Sequence, residues 1–145
     1  IDYQKNQEKV IDDLRNKISK TIVEELLGKK KLISGITTII SQEDEFDMAG
    51  LRKLGDQLKD KLGSGLIILA TSKNDKVNFV IMATKDVIKK GIHAGKLVGE
   101  IAKTTGGGGG GRPDMAQAGG KDTNKISQAL SLAKNLIEQQ VINND

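Results

Sequence analysis

The chain has 145 residues, enough for one domain with a core, and contains no cysteine, which excludes disulfide scaffolds, thiolate zinc sites and a cysteine nucleophile. Apolar residues make up 37% and aromatic residues 2%, so the core has to be aliphatic, and no apolar run approaches the ~18 residues of a membrane span. The formal net charge is +4, concentrated in residues 85–121, where seven Lys/Arg face three Asp/Glu; that excess suits either a polyanionic partner or a solvated lysine surface.

In chain order, residues 2–27 have helical spacing, with Val10, Ile11, Leu14, Ile18, Ile22 and Leu26 recurring every three or four positions. Ile11, Leu14, Ile18 and Ile22 are candidate contacts of a dimer arm or an interdomain strut; packing on the chain's own domain fits the stripe equally well. Gly28 is placed to end this helix, and Lys29, Lys30 and Lys31 follow. Residues 1–28 are accordingly expected to form a linker helix and residues 29–145 a globular domain. Because the chain starts at Ile1, inside a charged helical pattern, it is expected to be a piece of something longer. Zero Cys and no signal peptide fit the cytoplasm.

Residues 32–41 (LISGITTIIS) are β-branched and predict one strand. Asp47 is placed to cap a helix over 48–62 with Met48, Leu51, Leu54, Leu58 and Leu62 on its apolar face. Leu66–Ala70 and Val77–Thr84 predict strands covered on both faces, joined by a polar turn at Lys73–Lys76. A helical turn at 86–90 stops at Gly91, and a helix over about 94–103 follows. Residues 104–121 (TTGGGGGGRPDMAQAGGK) predict an irregular stretch, with room for a short strand at Met115–Ala118. Asp122 is placed to cap a last helix over 123–142. Strands alternate with helices, so the expected fold class is α/β: a small mixed sheet flanked by helices, with an extended N-terminal helix and a Gly-rich loop.

The candidate chemistry is sparse. His93 is the sole histidine, which rules out a two-His metal site and favours a helix-start or surface role over catalysis. Glu43, Asp44 and Glu45 share a turn and read as solvated. Asp114 is placed to orient Arg112 or cap a turn. The six glycines Gly106–Gly111 permit positive φ, close ligand approach and an anion nest of backbone N–H groups. They satisfy a GxGxxG pattern trivially, and the run follows a helix instead of a strand. Arg112 and Pro113 stand where a Walker loop needs Lys-Ser/Thr.

The stretch Gly106–Asp122, GGGGGGRPDMAQAGGKD, closely resembles the signature of the C-terminal domain of alanyl-tRNA synthetase, a DHH-associated fold also found beside the catalytic domains of RecJ-like nucleases. Leu51–Gly65 (LRKLGDQLKDKLGSG), Ala83–Asp86 (ATKD) and His93–Lys103 (HAGKLVGEIAK) have the family's character and order. The resemblance covers about residues 30–142. It implies a non-catalytic, metal-free module of an ATP-dependent alanine–tRNA ligase, with ATP and zinc held by other domains. The implied partners are the alanine-specific tRNA, bound at its outer corner where the D and T loops meet, and the aminoacylation and editing domains of the same chain. A homodimer through the N-terminal helix is the alternative role. RecJ-type relatives carry a His in the Gly motif that contacts substrate; Arg112 stands at that end of the run here. For RNA binding the candidate residues are Gly106, Gly107, Gly108, Gly109, Gly110, Gly111, Arg112, Lys96, Lys103 and Lys121, with phosphates neutralised by the cations and few aromatics for base stacking. A free-standing nucleotide-binding enzyme is a third reading, and it lacks a catalytic set.

Overall fold

The computed structural model describes residues 21–73 and 75–143. Most of the expected helix over 2–27, including Ile11, Leu14 and Ile18, lies outside the described residues. Residues 21–28 are helical (α1). After them come β1 (Lys31–Ile33), β2 (Ile36–Gln42), α2 (Met48–Leu62), β3 (Leu66–Lys73), β4 (Lys76–Ala83), α3 (Lys85–Lys89), α4 (Ala94–Thr104), β5 (Gly108–Gly111), β6 (Met115–Gly120), a 3₁₀ turn (Thr123–Lys125) and α5 (Ile126–Asn143). The six strands form one mixed sheet in the order β1-β2-β3-β4-β6-β5. β2 and β3 run parallel, joined through α2, and every other neighbouring pair is antiparallel. The α/β class and the mixed sheet expected from the sequence are what the chain adopts.

Strict alternation along the central strands divides the core in two. Leu66, Ile68 and Ala70 of β3 and Val77, Phe79, Ile81 and Ala83 of β4 face one cluster, closed by Leu97, Val98 and Ile101 of α4 and Ala129, Ala133 and Ile137 of α5. Ile67 and Leu69 of β3 and Val80 and Met82 of β4 face the other, closed by Leu51, Leu54 and Leu58 of α2 and by Val23 and Leu26 of α1. Sheet faces covered on both sides explain why these strands are nearly continuous apolar runs. Each fully buried Leu of α2 contributes roughly 1.5–3 kcal/mol, and Asp47 closes that helix by accepting from the Gly50 N–H at 2.8 Å. Ile22 is half-buried and packs against the α2-side cluster.

Three expectations are corrected. The single strand over 32–41 is a hairpin: Ser34 (φ 51°) and Gly35 (φ 79°) both take left-handed conformations between Ile33 and Ile36, the signature of a two-residue type I′ turn. The irregular Gly-rich loop is likewise ordered. Gly108–Gly111 form the edge strand β5, paired with β6 in the register Gly108↔Gly119 to Gly111↔Ala116. The expected capping of the last helix by Asp122 also takes a different form. Asp122 precedes the 3₁₀ turn with no side-chain cap bond, and its carboxylate pairs with Lys125 at 3.7 Å.

The ATKD segment makes the turn from β4 into α3. Thr84 Oγ1 accepts from the Gly65 N–H at 3.0 Å and donates to Asp86 at 2.5 Å, and the Ser64 hydroxyl also donates to Asp86. The Ser64 bond first, and the Thr84 bond second, hold the Asp86 carboxyl below its ordinary pKa against the opposing effect of desolvation. A lowered folded pKa adds stability above the unfolded value of about 3.9, and that stability is lost as pH falls through the folded value. The stability gap between the wild type and Asp86→Asn is therefore expected to be full at pH 7 and to shrink below about pH 4. Urea midpoints at pH 7 and pH 3 measure it, and an unchanged gap would show that ionised Asp86 is not the stabilising species.

Candidate nucleic-acid interface

The glycine run is divided between two structural tasks. Gly106 (φ 73°) and Gly107 close α4: the Gly106 N–H donates to Lys103 O at 3.1 Å and the Gly107 N–H to Ala102 O at 3.0 Å. This is the Schellman arrangement that ends a helix on a left-handed glycine. Thr105, fully buried, anchors the same corner. Its hydroxyl donates to Ala102 O at 2.8 Å, and its carbonyl accepts the N–H groups of Lys121 and Asp122, both at 2.9 Å. The remaining four glycines are β5. The N–H groups of Gly106 and Gly107 are thus used inside the fold, and the expected nest of free donors is not present there.

The other end of α4 is closed by the β5–β6 turn. The Ala94 N–H donates to Pro113 O at 3.0 Å and the Gly95 N–H to Arg112 O at 3.2 Å, while His93 Nδ1 accepts from the Lys96 N–H at 3.1 Å. His93 is the N-cap of α4, the helix-start role expected of it. The first donors of α4 are therefore satisfied within the chain, which closes that helix end to an anion.

α4 lies against β5 with little between them but backbone. A Cβ on Gly95 would overlap Gly111 O and stand 3.0 Å from Gly111 N, and one on Gly99 would stand 3.3 Å from Gly109 O. Gly95 and Gly99, spaced i and i+4 on one helical face, escaped the sequence reading; the G-x-x-x-G spacing was the signal. From Gly107 into β5 the glycines alternate. A Cβ on Gly107 would overlap Gly119 O, and one on Gly109 would come within 2.5 Å of Ala118 Cα, whereas Gly108 and Gly110 face open space. One side of β5 needs glycine for packing; the other leaves bare backbone exposed to solvent.

The cations flank this ribbon. Arg112 follows β5 at the end where α4 begins, and Lys96 lies in the first turn of α4. Arg112 Nε pairs with Asp114 Oδ1 at 3.3 Å, with the two side chains 71% and 45% exposed. So exposed a pair adds little stability but sets the direction of the guanidinium, the role expected of Asp114. Lys103 and Lys121 lie at the opposite end: Lys103 in the last turn of α4, paired with Glu100 at 3.2 Å, and Lys121 just after β6. Two cations stand at each end of a bare glycine strand, with Glu100 between Lys96 and Lys103 on α4. Among the described residues no group of three or more His, Cys, Asp or Glu is placed to hold a metal ion, and no helix is long and apolar enough to cross a membrane.

Comparisons with known proteins agree with the sequence resemblance. The DHHA1 domain family model matches residues 28–139. The chain is 50% identical over 137 residues to an alanine–tRNA ligase of Acetivibrio thermocellus, covering 94% of this chain and 16% of that protein. It thus spans about one sixth of the length of such relatives. Among solved structures it is similar to the C-Ala domain of Aquifex aeolicus alanyl-tRNA synthetase, with a TM-score of 0.68, 33% identity, and coverage of 74% of this chain and 96% of that one. RecJ of Thermus thermophilus shares the fold at a TM-score of 0.64 and 10% identity, over 92% of this chain and 20% of that one.

Proposed function

The chain belongs to the DHHA1 domain family and, within it, to the C-terminal domains of alanyl-tRNA synthetases, and from that premise we propose that it binds the outer corner of tRNA through the glycine ribbon and the cations at its two ends. The observation that carries this reading is the open side of Gly108 and Gly110, flanked by Arg112 and Lys96 at one end and Lys103 and Lys121 at the other. A folded RNA corner presents phosphates and 2′-hydroxyls. Bare backbone admits the sugar-phosphate chain closely, and Arg112, held by Asp114 through Nε alone, offers its Nη groups to a phosphate. Aromatics are too few for extended stacking, so shape and charge dominate and base discrimination is weak.

On this reading the module itself carries out no chemistry. It belongs to an alanine–tRNA ligase of the cytoplasm, whose other domains hold ATP and zinc, and it keeps one tRNA within reach of both the aminoacylation and the editing domains. Dimerisation through the N-terminal helix has no comparable support. Of its four candidate residues only Ile22 is described, and Ile22 packs against the chain's own core.

The test is binding of this chain to full-length alanine tRNA and to its acceptor-stem minihelix across a salt series. The expected result is at least about tenfold preference for the full tRNA, with Arg112→Ala reducing the slope of log K against log[salt] by about 1. Equal weak binding to both RNAs, or none to either, would overturn the proposal.

A further inference from the structure

We propose a second anion site, at the opposite edge of the sheet from the glycine ribbon, that takes the phosphodiester backbone of the same RNA. A cleft of about 720 Å³ opens between the β1–β2 hairpin and α5. Lys29, just before β1, and Lys31, its first residue, line one side, and Ser127, Ser131 and Lys134 line it from α5. The spacing 127, 131, 134 is i, i+4, i+7, so these three side chains share one helical face. Leu32, 74% exposed, lies in the same wall and is the exposed large apolar residue among those described. Among the described residues no carboxylate lines the cleft; Glu43 accepts from Oγ of the lining Ser41 at 2.8 Å.

Three lysines lining one cleft attract an entering anion together, and the serine hydroxyls supply neutral donors to the same oxygens. The position of the cleft selects RNA over an acidic protein segment. α4 and α5 cover the same face of the sheet, with the ribbon under the edge of α4 and the cleft under the edge of α5. Five inter-strand steps separate β1 from β5, roughly 24 Å at ~4.8 Å per step. A polyanion with charge repeating along its length engages both edges at once; a short acidic segment satisfies one. Leu32 then packs against ribose or a base edge, apolar surface that a carboxylate-rich peptide does not offer.

The assignment rests on the RNA reading above, and its test separates the two. In this chain Lys29→Gln, Lys31→Gln and Lys134→Gln are combined, and tRNA binding is measured across the salt series beside Arg112→Ala and the quadruple variant. Loss of three phosphate contacts is expected to lower the salt slope by about 2–3 and the affinity at low salt by tenfold or more, with the effects of the triple variant and Arg112→Ala multiplying in the quadruple. Wild-type affinity and slope in the triple variant would overturn the cleft assignment while leaving the ribbon intact. Loss in the triple variant with none in Arg112→Ala would keep the cleft and remove Arg112 from the interface. Amide NMR shifts of Ser127, Ser131 and Lys134 are followed with a single-stranded RNA oligonucleotide and with poly-glutamate. Stronger shifts with the RNA support the proposal, and shifts as strong with poly-glutamate at matched charge overturn it in favour of an acidic protein partner. Absence of any tRNA binding by the wild type would overturn both proposals together.

Discussion

Alanine at Gly107 or Gly109 is expected to destabilise the domain by about 3 kcal/mol or more, whereas alanine at Gly108 or Gly110 is expected to be neutral or to stabilise it by up to about 1 kcal/mol. The difference follows from which way each residue of Gly107–Gly110 would point a Cβ. A Cβ at Gly107 overlaps the Gly119 carbonyl oxygen and comes within 2.5 Å of Gly120 Cα. Both are backbone atoms of the paired strand, so no rotamer change relieves the contact. At Gly109 the obstacles are Gln117 O at 2.4 Å and Ala118 Cα and Cβ, each at 2.5 Å. Relief in either case requires β5 to separate from β6. Gly108 and Gly110 meet nothing within 4 Å, and neither has a positive φ; there alanine mainly lowers the entropy of the unfolded chain. Gly95→Ala belongs with the first group. The helix-propensity gain of about 1 kcal/mol is outweighed because α4 must move off Gly111. Urea denaturation of the five single variants measures the pattern. Equal destabilisation at Gly107, Gly108, Gly109 and Gly110 would show that β5 and the residue before it are not seated on β6 as described.

This alternation also explains what was hidden in the sequence. The helix Met48–Leu62 was readable because its cap, apolar face and glycine stop agree, and β4 because Val77, Phe79, Ile81 and Ala83 alternate with Val80 and Met82. A strand made only of glycine has no side chains to alternate, so the period-two signal that reveals a strand is missing from β5. Its partners, β6, the Arg112–Asp114 turn and α4, lie within a few residues of it in sequence, but their pairing with a side-chain-free strand leaves no pattern that periodicity can read. Gly106 was legible in principle, since a glycine after a helical pattern is a C-terminal signal, and Ser34-Gly35 between β-branched runs was a hairpin signal. Arg112, Lys96, Lys103 and Lys121 were singled out from local charge and family likeness, and their part in RNA binding remains a proposal. Lys134 was not grouped with Lys29 and Lys31, because α5 meets the β1–β2 hairpin only in the folded chain, about a hundred residues apart in sequence.

Valine placed at both Gly108 and Gly110 is expected to leave the fold intact and to weaken tRNA binding about tenfold or more. Both positions are exposed strand sites with open space beyond Cα, where a β-branched residue is favoured over glycine, so the thermal midpoint should hold or rise. The added isopropyl groups would stand where the sugar-phosphate chain is proposed to lie. Because no charge changes, the salt slope should stay that of the wild type while the affinity falls at every salt concentration. Arg112→Ala should do the reverse, lowering the slope by about 1 with little effect on stability, since its exposed pair with Asp114 holds nothing in the core. The two variants thus separate close approach from charge at a single ribbon. Full tRNA affinity in the double valine variant would mean that Gly108 and Gly110 do not admit the ligand. The run would then owe its length to the Schellman turn and the seating of β5 on β6, and recognition would pass to the cations alone.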